Sequence, residues 1–516
     1  MEPDTAGRDD PDPLPEGAVS FGRRISMLAD DHPDRTALVF VPRDGDERTV
    51  SWRELDERST QFAHLLAERG VDERSLVVVG FPNCPEHYFA AYAAWKLGAL
   101  VLPVRFNLPR RERDQILEVG NPAVVVADWD AVPFPLLTSA DVRRSHEYAL
   151  TRLPDRTPNP GKSIGSGGST GRSKIIVEPG PWARVPGQVP QRSYAGFRTG
   201  QTQLVAGPLY HNSPFTWSHY GLFEDQTLIL MEHFDAAQVV DLIERQRVNW
   251  AFLAPIMMRR IILLPDVRRR DLSSIEAIFQ TAAPCPEWLK RAWIDLIGGE
   301  KLYEGFGSTE AIGSCSIRGD EWLAHPGSVG RPRDCEMKIL DELGNEVPAG
   351  EVGEIFFRPL KRRPTYYYIG SSPAKSTPDG FASVGDLGWV DEDGYLHLAD
   401  RRVDLIITGG ANVYPAEVEA PLTEHPAVMD VVVIGVADEE WGRRVHAIVV
   451  PRDPSDPPPI RDLDTFCRER IAAYKVPKSY EFTPELPRDG AGKIRRAALV
   501  EERSRGVWPG LLRMTH

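Results

Sequence analysis

The sequence predicts an α/β protein in two parts: a large N-terminal domain of layered sheets and helices, and a small α+β C-terminal domain. Three observations carry that expectation. Short apolar runs of strand length alternate with amphipathic helical stretches, the pattern of a largely parallel sheet. At 516 residues the chain is too long for one hydrophobic core. After Asp404 the alternation gives way to a compact block with its own strands and helix, within the usual size of a domain. The domains are read as 18–402 and 403–516, preceded by a disordered tail at 1–17, which is acidic, proline-rich and without apolar residues in number.

The elements follow in order. Ser51 with Glu54 three residues on forms a capping box, and Leu55, Phe62, Leu65 and Leu66 continue an apolar stripe, so a helix starts there. Leu76-Val77-Val78-Val79 reads as a buried strand, and a helix over 85–97 is closed by Gly98. Residues 99–102 and 123–126 are further strand-like runs. Beyond a glycine-rich segment, 250–253, 277–281 and 353–357 read as strands, with a helix at 286–296. In the small domain, strands are expected at 431–436 and 446–450, a proline-rich loop at 451–459, and a helix around 463–472.

Composition narrows the function classes. Hydrophobic residues at 41% and charged residues at 26% are ordinary for a globular protein. A net charge of −14 argues against a nucleic-acid-binding face or a polybasic membrane patch. Five scattered cysteines, Cys84, Cys285, Cys315, Cys335 and Cys467, are odd in number and lack paired spacing, which points to a reducing compartment and no zinc site. The N-terminus does not read as a signal peptide, and no window approaches the roughly 18 apolar residues of a membrane span. A cytoplasmic setting is expected, with the oligomeric state, monomer or homodimer, left open.

The most informative stretch is 165–176, GSGGSTGRSKII. Glycines and hydroxyl residues stand in front of one lysine, Lys174, giving free backbone N–H groups and one positive charge, the chemistry that wraps a polyphosphate. It has neither the Gly-Lys-Ser/Thr ending of a Walker A loop nor dinucleotide-fold spacing, and a Gly/Ser-rich stretch taken alone is more often a flexible linker than a phosphate clamp. At 302–310 an aromatic, Phe306, precedes Gly307-Ser308-Thr309-Glu310. A ring there can stack a base and a carboxylate can meet magnesium; the plain alternative is a strand-end turn with a surface glutamate. Gly385-Asp386 places a carboxylate in a glycine turn, Asp400-Arg401 precedes Gly409-Gly410-Ala411-Asn412, and Gly490-Ala491-Gly492-Lys493 displays one lysine near the C-terminus. Each of these is commonplace alone.

In this order and spacing, the five motifs resemble the adenylate-forming superfamily, which includes acyl-CoA synthetases, peptide-synthetase adenylation domains and luciferases. The resemblance covers about residues 20–500. A narrower likeness to bacterial bile-acid- and fatty-acid-type CoA ligases rests on Ser166-Gly167-Gly168-Ser169-Thr170-Gly171, on Pro208-Leu209-Tyr210-His211-Asn212 and on Thr365-Tyr366-Tyr367-Tyr368-Ile369-Gly370.

The resemblance implies a reaction in two halves. A carboxylic acid attacks the α-phosphate of ATP to give an acyl-adenylate and pyrophosphate; a thiol, usually that of CoA, then displaces AMP. It implies that Ser166, Ser169, Thr170 and Lys174 hold the β- and γ-phosphates with Gly168 and Gly171 of the same loop. Phe306 stacks on adenine beside Gly307 and Ser308, Thr309 touches the α-phosphate, and Glu310 binds Mg2+. Asp386 and Arg401 grip the ribose, and Lys493 bridges carboxylate and α-phosphate. The small domain then rotates, Lys493 leaves, and the turn containing Gly410 lines the thiol channel. His211 sits between the acid and the CoA entry; its plain alternative is a packed loop histidine. Lys493, Thr170, Glu310 and His211 form the implied catalytic set.

Some positions depart from the family pattern: Gly167 in place of a hydroxyl residue, Ser173 in place of proline, Phe306 in place of tyrosine, and Val403 at the hinge. By the same resemblance the acid pocket is walled by 211–220, 255–258 and 281–284, and Phe215, Trp217, His219 and Met257 suggest a large, partly aromatic cavity; core packing is the alternative for several of them. An aromatic, fatty or steroid-like acid is expected, with CoA as acceptor. The competing readings are transfer to a carrier-protein thiol, activation of another oxyanion such as nitrite to modify an aryl amine, and a non-catalytic nucleotide-binding homologue.

Overall fold

A computed structural model describes residues 14–167, 173–188, 195–360, 365–401, 404–408, 411–438, 441–488, 493–504 and 512–513. One sheet runs edge to edge through Tyr367–Ile369, Ser173–Glu178, Lys162–Gly167, Leu100–Pro103, Leu76–Gly80, Val124–Ala127 and Leu136–Leu137. Its valine-rich central strands are buried along their whole length, as expected of parallel strands covered on both faces.

A second, larger sheet places Thr36–Val41, Thr227–Met231, Thr202–Val205, Trp250–Leu253, Ala277–Gln280 and Leu302–Gly307 side by side in parallel. After Gly307 the chain doubles back into Ser314–Arg318 and Ser328–Arg333, and from there the sheet is antiparallel. The expected parallel sheet therefore describes only part of each layer. The later strands are joined by tight turns, which impose antiparallel pairing.

Helices Phe21–Asp31, Trp52–Glu68, Pro85–Lys96 and Asn212–Phe223 lie between the two sheets, and one core joins Val77, Val101 and Val124 to Leu228, Trp250 and Phe279. Pro85–Lys96 is buried on every side, which explains its lack of an amphipathic stripe. The Ser51 hydroxyl accepts from the Glu54 N–H, and Gly98 adopts φ +80° after the helix, both as the sequence indicates.

In the small domain, Val428–Asp438 and Gly442–Pro451 pair antiparallel and join Ile406–Thr408 and Ser479–Phe482 under helices Pro415–Glu424 and Ile460–Arg468. Both long strands outrun their expected spans, because the apolar runs mark only the buried stretch and the ribbon continues through Asp438, Arg443 and Arg444. Helix Ile460–Arg468 starts directly after Pro459 and ends earlier than its expected span. Among the described residues, side-chain contacts between the domains include those of Arg259 and Arg495. Arg259 Nη2 donates to the Val428 carbonyl at 2.9 Å and the Thr423 carbonyl at 3.4 Å, and Arg495 pairs with Glu112 at 3.2 Å.

Candidate active site

The strands flanking the glycine loop form a hairpin in which Ser166 faces Lys174 and Gly167 faces Ser173. Gly168, Ser169, Thr170 and Gly171 lie outside the described residues. The hairpin has a charged anchor at its base. Lys162 Nζ pairs with Glu178 at 2.8 Å and donates to Asn212 Oδ1 at 2.9 Å and Thr216 Oγ1 at 3.1 Å. Since His211 is the N-cap of helix Asn212–Phe223, Lys162 ties the loop-bearing hairpin to the segment that carries His211.

Lys174 emerges from this hairpin beside Glu310. Its Nζ donates to Glu310 Oε1 at 3.3 Å, and the same oxygen accepts the Tyr368 hydroxyl at 2.6 Å. Burial alone would raise the Glu310 carboxyl, but the Tyr368 hydrogen bond and the Lys174 charge outweigh it and hold the group below its ordinary value. Glu310 is thus a buried anion. Two residues before it, the Ser308 hydroxyl is buried with no hydrogen-bond partner among the described residues, a cost normally met by a ligand or water. Ala311 takes φ +52° immediately after Glu310, and Ala282 takes φ +82° just beyond the neighbouring strand Ala277–Gln280. Both are left-handed positions that favour glycine, and backbone strain of this kind gathers at functional sites. Phe306 sits at the end of its strand with its ring 6.3 Å from that of Phe357, while Gly307 is exposed and Thr309 half-buried.

Further along the same large sheet, Asp386 lies directly opposite Arg401 in the antiparallel pair Asp386–Val390 and Leu396–Arg401. Gly385 turns the chain into this strand at φ +89°. Gly410 and Val403 lie outside the described residues. Lys493 is exposed, two residues from Arg495. Arg495 reaches Glu112 on helix Arg110–Gly120, and the end of that helix meets Ile175, next to Lys174. Arg495 thus ties the segment after Lys493 to a helix that packs against the strand bearing Lys174.

The loop leading to His211 is fixed by Asn83. Asn83 Nδ2 donates to the carbonyls of Gly207 and Met231, each at 3.0 Å, and its Oδ1 accepts from the Leu209 N–H at 2.9 Å. Among the described residues, the segment expected to wall the acid cavity is tightly packed. Trp217 packs against Phe197, Trp250 and Phe279 at ring separations of 5.1–5.2 Å. The void left among Gly207, Pro214, Trp217 and Phe252 is only ≈ 10 Å³. Phe215 and His219 are core residues, packed with Trp95 and Tyr88, and burial pushes the His219 imidazole down to about 3. Met257 belongs to a separate core with Met258, Leu289 and Trp293. Packing density decides these assignments: aromatic helices wedged between two sheets fill the space themselves.

Three residues of this region were not indicated as site residues by sequence: Tyr368, Asn83 and Lys162. Tyr368 stands in the Thr365–Gly370 string, where nothing local reveals its partner 58 residues away. Among the described residues no group of three His, Cys, Asp or Glu side chains could hold a metal ion, and no helix is long and apolar enough to cross a membrane.

The geometry has counterparts in known proteins. The AMP-binding enzyme family matches residues 26–367, and its C-terminal domain matches 417–493. A feruloyl-CoA synthase of Amycolatopsis sp is 32% identical over 463 residues, covering 86% of this chain and 92% of that protein. A fatty acid–[acyl-carrier-protein] ligase of Streptomyces coeruleorubidus is 29% identical, covering 88% and 91%. Among solved structures, the o-succinylbenzoate CoA synthetase of Bacillus subtilis with its acyl-adenylate intermediate superposes with a TM-score of 0.80 at 25% identity, covering 96% of this chain and 100% of that one. The match spans both domains and the segments that carry Lys174, Glu310 and Lys493: this chain belongs to the AMP-binding enzyme family.

Proposed function

We propose that this protein is an ATP-dependent, AMP-forming acid–CoA ligase acting on a compact carboxylic acid. The observation that carries the nucleotide half is the contact of Lys174, from the glycine-loop hairpin, with the buried Glu310 carboxylate, two residues from a Ser308 hydroxyl that has no partner among the described residues. In the first half-reaction a carboxylate oxygen bonds to the α-phosphorus of ATP while the bond to the pyrophosphate oxygen breaks. The barrier is the crowding of anions, so positioned cations and donors do most of the work.

Lys174 and the loop residues Ser166, Ser169 and Thr170, with Gly168 and Gly171, take the β- and γ-phosphates. Ser308 and Thr309 address the α-phosphate, and Phe306 and Gly307 flank the adenine. Asp386 and Arg401, opposite each other in register, take the ribose hydroxyls. Lys493, a point charge on a flexible stem, bridges the acid and the α-phosphate. Magnesium enters as part of the substrate MgATP. A single buried carboxylate, Glu310, together with phosphate oxygens fits an ion that keeps several waters and is bound through few protein ligands.

In the second half-reaction the CoA sulfur, having lost its proton, bonds to the acyl carbon and AMP departs. His211, at the head of helix Asn212–Phe223, stands between the acid and the thiol entry, and the turn with Gly410 lines that entry after the small domain turns. We place the division between the domains at 402/403 and the protein in the cytoplasm, a setting supported by five cysteines that are all free thiols.

A compact acid, rather than a long fatty or steroid-like one, is supported by the aromatic packing around Trp217 and by the feruloyl and o-succinylbenzoate acids for which similar proteins are named. The test is mass spectrometry of products after incubation with MgATP, CoA and a carboxylic-acid panel graded by size. Acyl-CoA and AMP from the smaller members support the reading. Adenylates without thioester transfer the second half to another acceptor, such as a carrier-protein thiol, and absence of AMP with every acid overturns the reading.

A further inference from the structure

Tyr368 makes two different contacts with the nucleotide site from a single side chain. Its hydroxyl donates to Glu310 Oε1 at 2.6 Å, and Lys174 Nζ lies 3.9 Å from the centre of its ring. The strand Tyr367–Ile369 pairs antiparallel with Ser173–Glu178, with Tyr368 opposite Ile176, so the strand that delivers Lys174 also delivers Tyr368. We propose that Tyr368 is a positioning residue that holds the Glu310 carboxylate and the Lys174 ammonium in a preset spacing for MgATP. This rests on the nucleotide role proposed above for those two groups.

The physical need is clear. A buried lysine and glutamate left to themselves close into a tight, mutually neutralising pair, which a polyphosphate and its metal must then break. At 3.3 Å the Lys174–Glu310 contact is looser than the 2.7–2.9 Å of a close charge-assisted bond. Tyr368 accounts for the difference, because its hydroxyl occupies the carboxylate oxygen and its ring face carries the ammonium. A core-packing role explains little, since Tyr368 is only half-buried and borders a cavity of ≈ 300 Å³. Its ring is instead steadied by Tyr366, 4.8 Å away, whose own hydroxyl accepts the Ala374 N–H at 2.9 Å. Burial and the adjacent Glu310 both raise the Tyr368 phenol, so it remains a donor through the neutral range.

The experiment compares wild type, Tyr368→Phe and Tyr366→Phe by calorimetric titration with MgATP and with metal-free ATP, alongside thermal midpoints. Tyr368→Phe keeps the ring and removes only the donor to a charged group, so MgATP affinity should fall about tenfold, metal-free ATP affinity should change less, and the midpoint should hold. Tyr366→Phe should bind MgATP like wild type. In steady state, Tyr368→Phe should raise the KM for MgATP and leave that for the acid unchanged. MgATP affinity equal to wild type overturns the proposal, as does an equal loss in both variants, which would mark general packing. Failure of the wild type itself to bind MgATP would instead sink the nucleotide role of the site, a separate result.

Discussion

Lys174 Nζ lies 3.3 Å from Glu310 Oε1, bridging 136 residues of sequence. One group comes from the glycine-loop hairpin and the other from the end of strand Leu302–Gly307, so the contact exists only once both sheets have formed. On the proposed reading, removing Lys174 takes away the charge for the terminal phosphates without touching the acid pocket. Lys174→Ala should raise the KM for ATP about tenfold or more, the scale of a hydrogen bond to a charged group, with the KM for the acid nearly unchanged. Steady-state kinetics at varied ATP and acid make the check, and an unaltered ATP dependence rejects the phosphate role.

Trp217 closes the space where the acid is expected. Trp217→Gly should extend turnover to bulkier acids, raising kcat/KM for them by about tenfold or more, since a pocket discriminates through the groups it excludes. The lost packing should cost about 3–5 kcal/mol of stability, visible as a lower thermal midpoint. If the wild type already turns over long-chain acids as well as short ones, the compact-acid reading fails.

Asp56 is the centre of a buried ionic cluster joining three helices. It pairs with Lys96 at 2.6 Å and Arg152 at 2.9 Å and accepts the Ser26 hydroxyl at 2.7 Å. Burial alone would raise its carboxyl, but these partners outweigh that and depress it. A depressed acid stabilises the fold fully above its unfolded value, near about 3.9, and that stabilisation is lost as pH falls through the lower folded value. Asp56→Asn leaves Lys96 buried without its counter-charge and should cost about 3–5 kcal/mol at neutral pH. Thermal midpoints between neutral and strongly acidic pH should show the wild type losing its advantage over the variant as acid is added. A constant difference would contradict the cluster's role.

Much of this was legible because the relevant signals are local. The strand runs around Val78 and Val125, the Ser51 cap and the Gly98 stop depend on neighbours within a turn or a strand, and they reappear in the structure. The motif around Glu310 marked a segment that the fold brings beside Lys174. Its partner Tyr368 was not legible, because a contact across 58 residues depends on sheet order. Whether the aromatic residues line or fill the space was open in the sequence for a related reason. Phe215, Trp217 and His219 are aromatic side chains of one helix, and only the packing of Trp95, Phe197 and Phe279 around them shows that they fill the space instead of lining it.

Lys493 is proposed to serve the first half-reaction and to be dispensable in the second. Lys493→Ala should be assayed for pyrophosphate-dependent exchange into ATP with the acid, and separately for thioester formation from supplied acyl-adenylate and CoA. The account predicts that exchange falls by about a hundredfold or more, the scale of removing a group that stabilises charge in the transition state, while thioester formation stays near the wild-type rate. Equal loss in both halves, or full exchange activity without Lys493, would contradict it.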